Sequence, residues 1–239
     1  PWLLHAFSTR RGGVSKEPVA GLNLGYVEAD QRANVEANRK LFFEHIGAQS
    51  LSLAALRQIH SSAVYQVVRK LGGELEYRPA GYPAPPLSGA RRPLGDALVT
   101  DQPGILLSVR SADCLPILLV DPRRPAVAAV HAGWRGALHS VIEKTVGVMR
   151  ALFSSDPQHV LAALGPCIHA CCYEVGQEVV DGFGGAFVNG ERFFCVPTQE
   201  DASRARPANK LLRARLAQPP GRALQAVPAP RLDLVAVAQ

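Results

Sequence analysis

The chain has 239 residues, is 47% hydrophobic and 19% charged, and carries a formal net charge of +6. This composition is ordinary for a globular protein, and the length suits one large domain or two small ones with a core that needs no disulfide bonds. The Lys and Arg residues are scattered, and no basic run is interleaved with aromatic residues, so we expect no nucleic-acid partner.

The cysteine usage and the lack of long apolar runs favour a cytoplasmic protein. The five cysteines are an odd number with two adjacent, which does not suit a secreted disulfide scaffold. No apolar run reaches the roughly 18 residues of a membrane span, so we expect no membrane partner. The first residues, PWLLHAFSTRRGG, lack the basic region and cleavage pattern of a signal peptide.

The first half of the chain predicts a strand, a helix and two further strands. A short strand and a glycine-containing turn are predicted in HAFSTRRGG, followed by a helix after Asp30, which we expect to cap it. Strands are predicted on both sides of His60, in LAALRQIH and AVYQVVRK. Residues 79–93 predict a Pro/Gly-rich loop.

The second half predicts an alternation of strands and helices. Four strands are expected in DALVT, GILLSVR, LPILLVD and PAVAAVHAG, then a helix over about 140–153. HVLAALGPCI predicts a further buried strand, and YEVGQEVVDGFGGAF a helix weakened by glycines. Residues 198–231 are polar and weakly patterned. The alternation indicates an α/β fold, with α+β as the alternative, in a single domain.

Three residues with metal-binding side chains lie next to predicted apolar strands. They are His60 after LRQI, Cys114 in SADCLP and His131 in AVHAGW. Two imidazoles and one thiolate form a complete three-ligand set for a catalytic zinc, which keeps its fourth position open. The spacing is long-range and matches no compact zinc motif, so the residues alone leave open that the three are unrelated and structural.

Other residues suggest alternative chemistry and substrate contacts. Cys114 and a histidine could act as nucleophile and base without a metal, with Asp113 orienting the base. The arginines of STRRGGVS, including Arg10, and Arg135 of HAGWRG could contact an anion, while Trp134 by default fills the core. We interpret CIHACCY as a loop with buried thiols rather than a second metal site.

Seven segments, in chain order, resemble the motifs of the YfiH-type laccase-domain family. They are FSTRRGGVS, LNLG, QIHSS, DALVT, ADCLPILLVD, AVHAGWRG and LGPCIHACCYEVG. The combination of A-D-C-x-P with H-A-G-W-R-G is specific, whereas each motif alone is weaker. Members of this family are named polyphenol oxidases, purine nucleoside phosphorylases or peptidoglycan editing factors.

The resemblance implies a zinc site made by His60, Cys114 and His131, and a mixed-sheet YfiH-like fold. It implies phosphorolysis of adenosine, inosine and methylthioadenosine, together with deamination of adenosine, so purine nucleosides and phosphate are the expected partners. Arg10, Asn23 of LNLG and Arg135 are the expected substrate contacts. We expect one laccase-type domain over residues 1–239 that lacks the usual C-terminal tail of the family; the oligomeric state is left open.

Three alternatives remain at this point. The older family name suggests a copper polyphenol oxidase with Cu²⁺ in place of Zn²⁺, although a multicopper enzyme needs more histidine ligands than seven scattered histidines readily supply. A metal-free Cys-His hydrolase is the second alternative. A role in editing cell-wall precursors is the third.

Overall fold

A computed structural model describes residues 2–81, 92–195 and 231–232. Its strands in chain order are β1 (Ser52–Ala55), β2 (Val64–Arg69), β3 (Leu75–Ala80), β4 (Ala97–Thr100), β5 (Ile105–Ser108), β6 (Leu115–Asp121), β7 (Ala126–Ala132), β8 (Leu161–Leu164), β9 (Phe194–Cys195) and β10 (Arg231–Leu232). Its α-helices are α1 (Arg32–His45), α2 (Trp134–Leu138), α3 (Val141–Phe153) and α4 (Gln177–Ala186). Short 3₁₀ turns occupy Pro157–His159 and Gly190–Phe193.

A six-stranded mixed sheet forms the centre of the fold, in the order β3-β2-β4-β7-β6-β8. Only β2 and β4 pair in parallel within it, and the other neighbours are antiparallel. Strands β2, β4 and β6 therefore run in one direction and β7 in the other. As a result, the beginnings of β2, β4 and β6 lie next to the end of β7, at one end of the strands rather than at an edge strand.

Helix α3 covers the middle of this sheet and closes the main core. Its Val141 and Met149 are fully buried and belong to one cluster with Val99, Ile117 and Val130 of the strands. The apolar residues of β4, β6 and β7 that face α3 suit this buried position. Each fully buried large aliphatic side chain stabilises the fold by roughly 1.5–3 kcal/mol.

A second, smaller cluster lies around the parallel pair β1 and β5. Leu56, Tyr65, Val67, Leu98 and Ile105 are buried together there. Strands β2 and β4 thus contribute alternate side chains to both clusters, as the two-residue period of a strand requires.

The predicted α/β class is confirmed, as are the expected strand at β6 and the helix at α3. The predicted opening strand is wrong: Ser15 and Gly21 form an isolated bridge there, and Gly12 and Gly13 have positive φ values of 77° and 80°. The N-terminal segment is held by side-chain bonds instead, because the buried amide of Asn38 contacts it at several backbone groups.

Three other boundaries differ from the predictions for identifiable reasons. Strand β1 ends at Ala55, so His60 lies in a loop, and β3 includes Pro79 and Ala80, which the sheet accepts because β3 is an edge strand. The predicted buried strand β8 is also an edge strand, and its Leu161 is 59% exposed. The rest of the predicted loop, residues 82–91, and the weakly patterned residues 198–230 lie outside the described residues.

Asp30 does not cap helix α1 as expected. The cap residue is Gln31, whose side chain makes no capping bond. The Asp30 carboxylate accepts hydrogen bonds from Ser15, Asn23 and Asn34, which ties the N-terminal segment to the start of the helix. Within the described part of the chain, no helix is both long and apolar enough to cross a membrane.

Candidate metal centre

The strand directions explain how residues far apart in sequence meet at one end of the strands. His60 lies in the loop before β2, Asp96 directly precedes β4, Cys114 directly precedes β6, and His131 is the next-to-last residue of β7. The backbone N–H of His131 donates to the carbonyl of Asp96 at 2.8 Å, which locks the end of β7 to the beginning of β4.

The structure brings His60, Cys114 and His131 together. One potential ligand atom from each lies within 4.8 Å of the other two. The two imidazole rings meet edge to face, with centroids 5.0 Å apart and an angle of 71°. His131 is buried, Cys114 is half-buried and His60 is exposed, so the cluster has a closed side and an open side. This arrangement suits a three-ligand site with one accessible position.

Asp96 organises this cluster, and sequence reasoning did not single it out. Its buried carboxylate lies 2.9 Å from Nδ1 of His131, which leaves Nε2 of that ring to act as a ligand. The same carboxylate accepts backbone N–H bonds from His60 at 3.0 Å and Ser61 at 2.6 Å. The available signal was an acidic residue at the start of the apolar segment DALVT.

These bonds also account for the backbone of the His60 loop. His60 has a φ of 59°, in the left-handed region that a residue with a β-carbon rarely adopts. The N–H groups of Ile59, His60 and Ser61 all point to Asp96, and the Ser61 hydroxyl donates to it at 2.7 Å. Asp96 thus positions both histidines, one through its ring and one through its backbone.

The electrostatics of the site favour a positive charge between its ligands. Burial lowers the pKa of His131, but hydrogen bonds to Asp96 and Cys114 outweigh this and raise it to about 9. Burial likewise raises the pKa of Asp96, but its bonds to His131 and Ser61 lower it below the ordinary value. The Asp96 carboxylate and the Cys114 sulfur stabilise the protonated form of His131, and they would stabilise a metal cation in the same way.

Gly133 of the segment HAGWRG allows the ligands to approach each other. A β-carbon at this position would lie 2.9 Å from Sγ of Cys114 and 2.9 Å from Cδ2 of His60. Both distances are shorter than van der Waals contact. The glycine is therefore required by the close packing of two ligand side chains over the turn that leads from β7 into α2.

The segment before Cys114 is held by neighbouring backbone and by a serine. Asp113 has a φ of 93°, its carbonyl accepts from the N–H of Ile168 at 2.8 Å, and the Ser111 hydroxyl donates to the carbonyl of Cys114. Asp113 itself is exposed. Ile168 of the CIHACCY loop thus helps to hold the segment before Cys114 in place.

The other thiols do not join a metal-ligand group among the described residues. The adjacent Cys171 and Cys172 are exposed, with their sulfur atoms 3.4 Å apart, and Cys167 is half-buried. None of the five cysteines, all of which lie within the described residues, forms a disulfide bond. The cluster of His60, Cys114 and His131 is the metal-ligand group found in the described part of the chain.

The ligand cluster lies in the wall of a cavity of about 1000 Å³. Arg10 and Asn23, both predicted substrate contacts, also line it. The side chain of Asn23 donates to Asp30 at 2.7 Å and accepts from the N–H of Gly25 at 3.1 Å, so its amide nitrogen and oxygen each already have a partner within the protein.

Arg135, the third predicted substrate contact, takes a different position. Its guanidinium lies over the ring of Trp134, 4.1 Å from the centroid, and it is not among the residues that line the cavity. Burial, Cys114 and Asp113 raise the pKa of the nearby Tyr173 to about 12, and the charge of Arg135 opposes that rise. Arg135 itself is exposed, so the structure does not place this predicted substrate contact in the cavity wall.

Comparison with known proteins places the chain among a recognisable set of sequences. Residues 4–218 match the pattern of the family described as multi-copper polyphenol oxidoreductase laccase. A protein of Deinococcus radiodurans named purine nucleoside phosphorylase is 38% identical over 182 residues, which cover 76% of this chain and 63% of that protein. Purine nucleoside phosphorylase YfiH of Escherichia coli is 39% identical over 176 residues, 74% of this chain and 63% of that one.

Solved structures show the same fold. Neisseria meningitidis protein NMB0706 superposes with a TM-score of 0.65 at 31% identity, covering 97% of this chain and 74% of that one. YlmD of Geobacillus stearothermophilus superposes with a TM-score of 0.66 at 27% identity, covering 96% of this chain and 72% of that one. The matched region spans 63% of the length of the two curated relatives.

Proposed function

The chain belongs to the multi-copper polyphenol oxidoreductase laccase family, and because its relatives include proteins named purine nucleoside phosphorylase, we propose that it is a zinc-dependent enzyme of that kind. The proposed substrates are adenosine, inosine, methylthioadenosine and phosphate, with deamination of adenosine as a second activity. The observation that carries the proposal is the convergence of His60, Cys114 and His131 in the wall of one large cavity.

The donor set fits zinc. Two imidazole nitrogens and one thiolate are common zinc ligands, and three protein ligands are typical of catalytic rather than structural sites. The contact from Asp96 to the ring of His131 is the carboxylate support that histidine ligands usually have. When bound, zinc supplies Lewis-acid chemistry to a group at the remaining position.

Phosphorolysis needs positioning of two substrates more than a strong base. An oxygen of phosphate forms a bond to the anomeric carbon of the ribose, and the bond from that carbon to the purine nitrogen breaks. The cavity offers apolar walls for a purine and, at Arg10, a cation for phosphate. Asn23, which lines the same cavity, is the second proposed substrate contact, and Arg135, which lies outside the cavity lining, is the third.

Deamination uses water in place of phosphate. Water adds to the purine carbon that carries the exocyclic amine, and ammonia leaves. The exposed His60 is the ligand residue that faces solvent, so its side of the cluster is where we place the reacting purine carbon. In this proposal, substrate orientation in the cavity decides which carbon reacts.

Product analysis tests the function directly. Zinc-loaded protein is incubated with adenosine or inosine, with and without phosphate, and the products are separated by chromatography. The proposal expects free base and ribose 1-phosphate only when phosphate is present, and inosine from adenosine without it. Cys114→Ser should abolish both, while Cys195→Ser, at an exposed cysteine of β9, should not. Failure of the zinc-loaded protein to form either product rejects the function.

A copper polyphenol oxidase is the second candidate, because the family description names copper and two histidines with one cysteine also suit copper. Metal analysis of protein purified without added copper separates the two: stoichiometric copper and oxidation of a phenol would favour the oxidase. Turnover that survives complete chelation would instead indicate a metal-free reaction at Cys114.

A further inference from the structure

The charge of the cavity wall is unbalanced. Among the described residues, the wall includes four arginines and no aspartate or glutamate: Arg10, Arg39, Arg92 and Arg110. We propose that Arg39, Arg92 and Arg110 form, together with Arg10, a binding site for a phosphate oxyanion in the same cavity as the metal ligands. The role of this site in phosphorolysis rests on the proposed function, whereas anion binding at the site does not.

Arg39 is held in place without a compensating acid. Its Nε and Nη2 both donate to the carbonyl of Leu24, at 2.9 Å and 2.7 Å, and its guanidinium lies 4.4 Å from the centroid of the Tyr26 ring. These contacts fix the half-buried side chain, and no carboxylate among the described residues forms a salt bridge with it. A guanidinium fixed in this way is prepared to bind an anion.

Arg39 lies near other arginines. Burial lowers its pKa, and the positive charges of Arg110 and Arg92 lower it further, while Tyr26 and Glu36 oppose this change. A cluster of positive charges in a partly enclosed cavity is unfavourable by itself, and a bound anion relieves the repulsion. We therefore expect a bound anion to stabilise this arrangement.

Arg110 connects the cationic wall to the metal ligands. The side-chain amide of Gln58 clamps the backbone of Arg110: it donates to the carbonyl at 2.6 Å and accepts from the N–H at 2.8 Å. Gln58 lies two residues before His60, and Arg110 lies four residues before Cys114. The exposed side chain of Arg110 takes no part in this clamp, so it is free to contact a ligand near the metal centre.

The chemistry of the wall favours phosphate over other anions. Guanidinium groups match the oxygens of phosphate through paired hydrogen bonds, which a spherical anion such as chloride cannot make. The phosphate can be inorganic phosphate or the phosphoryl group of a nucleotide. Titration with each of the two ligands distinguishes these sources.

Isothermal calorimetry of inorganic phosphate binding, at constant ionic strength in chloride buffer, tests the site. We expect Arg39→Gln and Arg110→Gln each to weaken phosphate binding about tenfold or more, the range of a charge-assisted hydrogen bond. Arg110→Gln keeps the Gln58 clamp, which uses only backbone groups, so it remains informative if Arg39→Gln folds poorly. A parallel titration with adenosine monophosphate shows which source binds more tightly.

Arg32→Gln is the matched control. Arg32 lies on the same helix and over the same tyrosine ring, at 5.5 Å, but it pairs with Glu36 at 2.7 Å and does not line the cavity. Phosphate affinity should be unchanged in this variant. Equal phosphate affinity in the wild type and all the variants overturns the site. Competition by chloride that is as effective as competition by added phosphate overturns it as well.

The outcomes separate this inference from the proposed function. If phosphate binding depends on Arg39 and Arg110 but no nucleoside is cleaved, the anion site stands and the phosphorylase proposal fails. If nucleosides are cleaved and the variants keep the wild-type KM for phosphate, the phosphorylase proposal stands and the anion site fails.

Discussion

Asp96 positions two of the three candidate ligands of the metal centre. Its carboxylate contacts the ring of His131 and the backbone of the His60 loop, so one side chain sets the geometry of two ligand residues. Its position directly before β4 makes this possible, because the beginning of β4 lies between β2 and the end of β7. A change at Asp96 should therefore affect metal binding more than a change at any other residue that is not itself a ligand.

We expect Asp96→Asn to lower zinc affinity about 10- to 100-fold, the usual effect of losing the carboxylate behind a histidine ligand. An amide would place a donor against the N–H groups of the His60 loop, which misplaces that ligand as well. Competition with a chromophoric chelator measures the affinity. Ser61→Ala removes one donor to Asp96 and should have a smaller effect; equal zinc affinity in Asp96→Asn and wild type would show that the carboxylate plays no part.

Gly133→Ala tests the close packing of the ligands. The new methyl group would lie 2.9 Å from both Sγ of Cys114 and Cδ2 of His60, so it must push them apart. We expect weaker zinc binding with little change in the folded content, measured by chelator competition and circular dichroism. Gly147→Ala, in the interior of α3 with no atom within 4 Å of the new methyl, should instead leave zinc affinity intact and raise stability by up to about 1 kcal/mol.

Sequence reasoning identified the ligand candidates but not their supports. The residue types of His60, Cys114 and His131 suggested a metal, while their long spacing left the choice open until the family motifs were considered. The glycines of HAGWRG were expected to let the loop turn around the ligand, but neither the role of Asp96 nor the contact of Gly133 with two ligands could be predicted, because both depend on which strand ends meet. That information is a property of the sheet order β2-β4-β7-β6, which local patterns do not contain.

At the scale of elements, the predictions held where the apolar residues pack into the main core. Strand β6 and helix α3 have apolar patterns that match their covered positions in the sheet and core, and their bounds follow the pattern closely. The N-terminal segment and β8 have similarly apolar residues, but one is held by the amide of Asn38 and the other lies at a sheet edge. In these two segments, tertiary contacts thus overrode the local preference of the sequence.

Asp121 closes the turn between β6 and β7 and provides an acid-sensitive element. Its buried Oδ1 accepts from the N–H of Arg123 at 2.9 Å and of Arg124 at 3.2 Å. Burial raises its pKa, but the hydrogen bonds that it accepts outweigh this and lower it below 3.8. Because the folded-state pKa is lowered, the carboxylate stabilises the fold above its ordinary pKa and loses this effect as the pH falls through the folded value.

Asp121→Asn should therefore destabilise the protein at pH 7, by about 1–3 kcal/mol if the charge-assisted bonds are weakened. The difference from wild type should shrink as the pH falls below the ordinary value of 3.8. Urea unfolding at several pH values measures both effects. Asp101→Asn, at an exposed position after β4, is the control and should change stability little at any pH; a difference that grows toward acid would contradict the assignment.

At the scale of the whole molecule, the cavity joins three regions of the chain. The N-terminal segment brings Arg10, α1 brings Arg39, and one end of the sheet strands brings the metal ligands. Composition showed a net charge of +6 but not its distribution, and the arginines looked scattered in sequence. Folding collects four of them in one wall. Of these four, the sequence singled out only Arg10 as an anion contact, because the others come from distant parts of the chain.

The same long-range assembly couples metal binding to global stability. His60, Cys114 and His131 come from three loops or strands that converge only in the folded chain, so the proposed zinc would bind the native state and have little affinity for the same set in the unfolded state. Free zinc at a hundredfold excess over its Kd should stabilise the protein by about 2.7 kcal/mol. For a chain of this length the corresponding rise in Tm is about 5–10 °C.

Scanning calorimetry of the chelator-treated protein, with and without zinc, measures this rise. Cys114→Ser replaces the thiolate with a poor ligand and should lose most of the shift, whereas Cys195→Ser, at an exposed thiol outside the cluster, should keep it. Adding chelator to the zinc-loaded wild type should return its Tm to the metal-free value. A shift that persists in Cys114→Ser would place the stabilising zinc elsewhere, and the three-residue centre would then have to be abandoned.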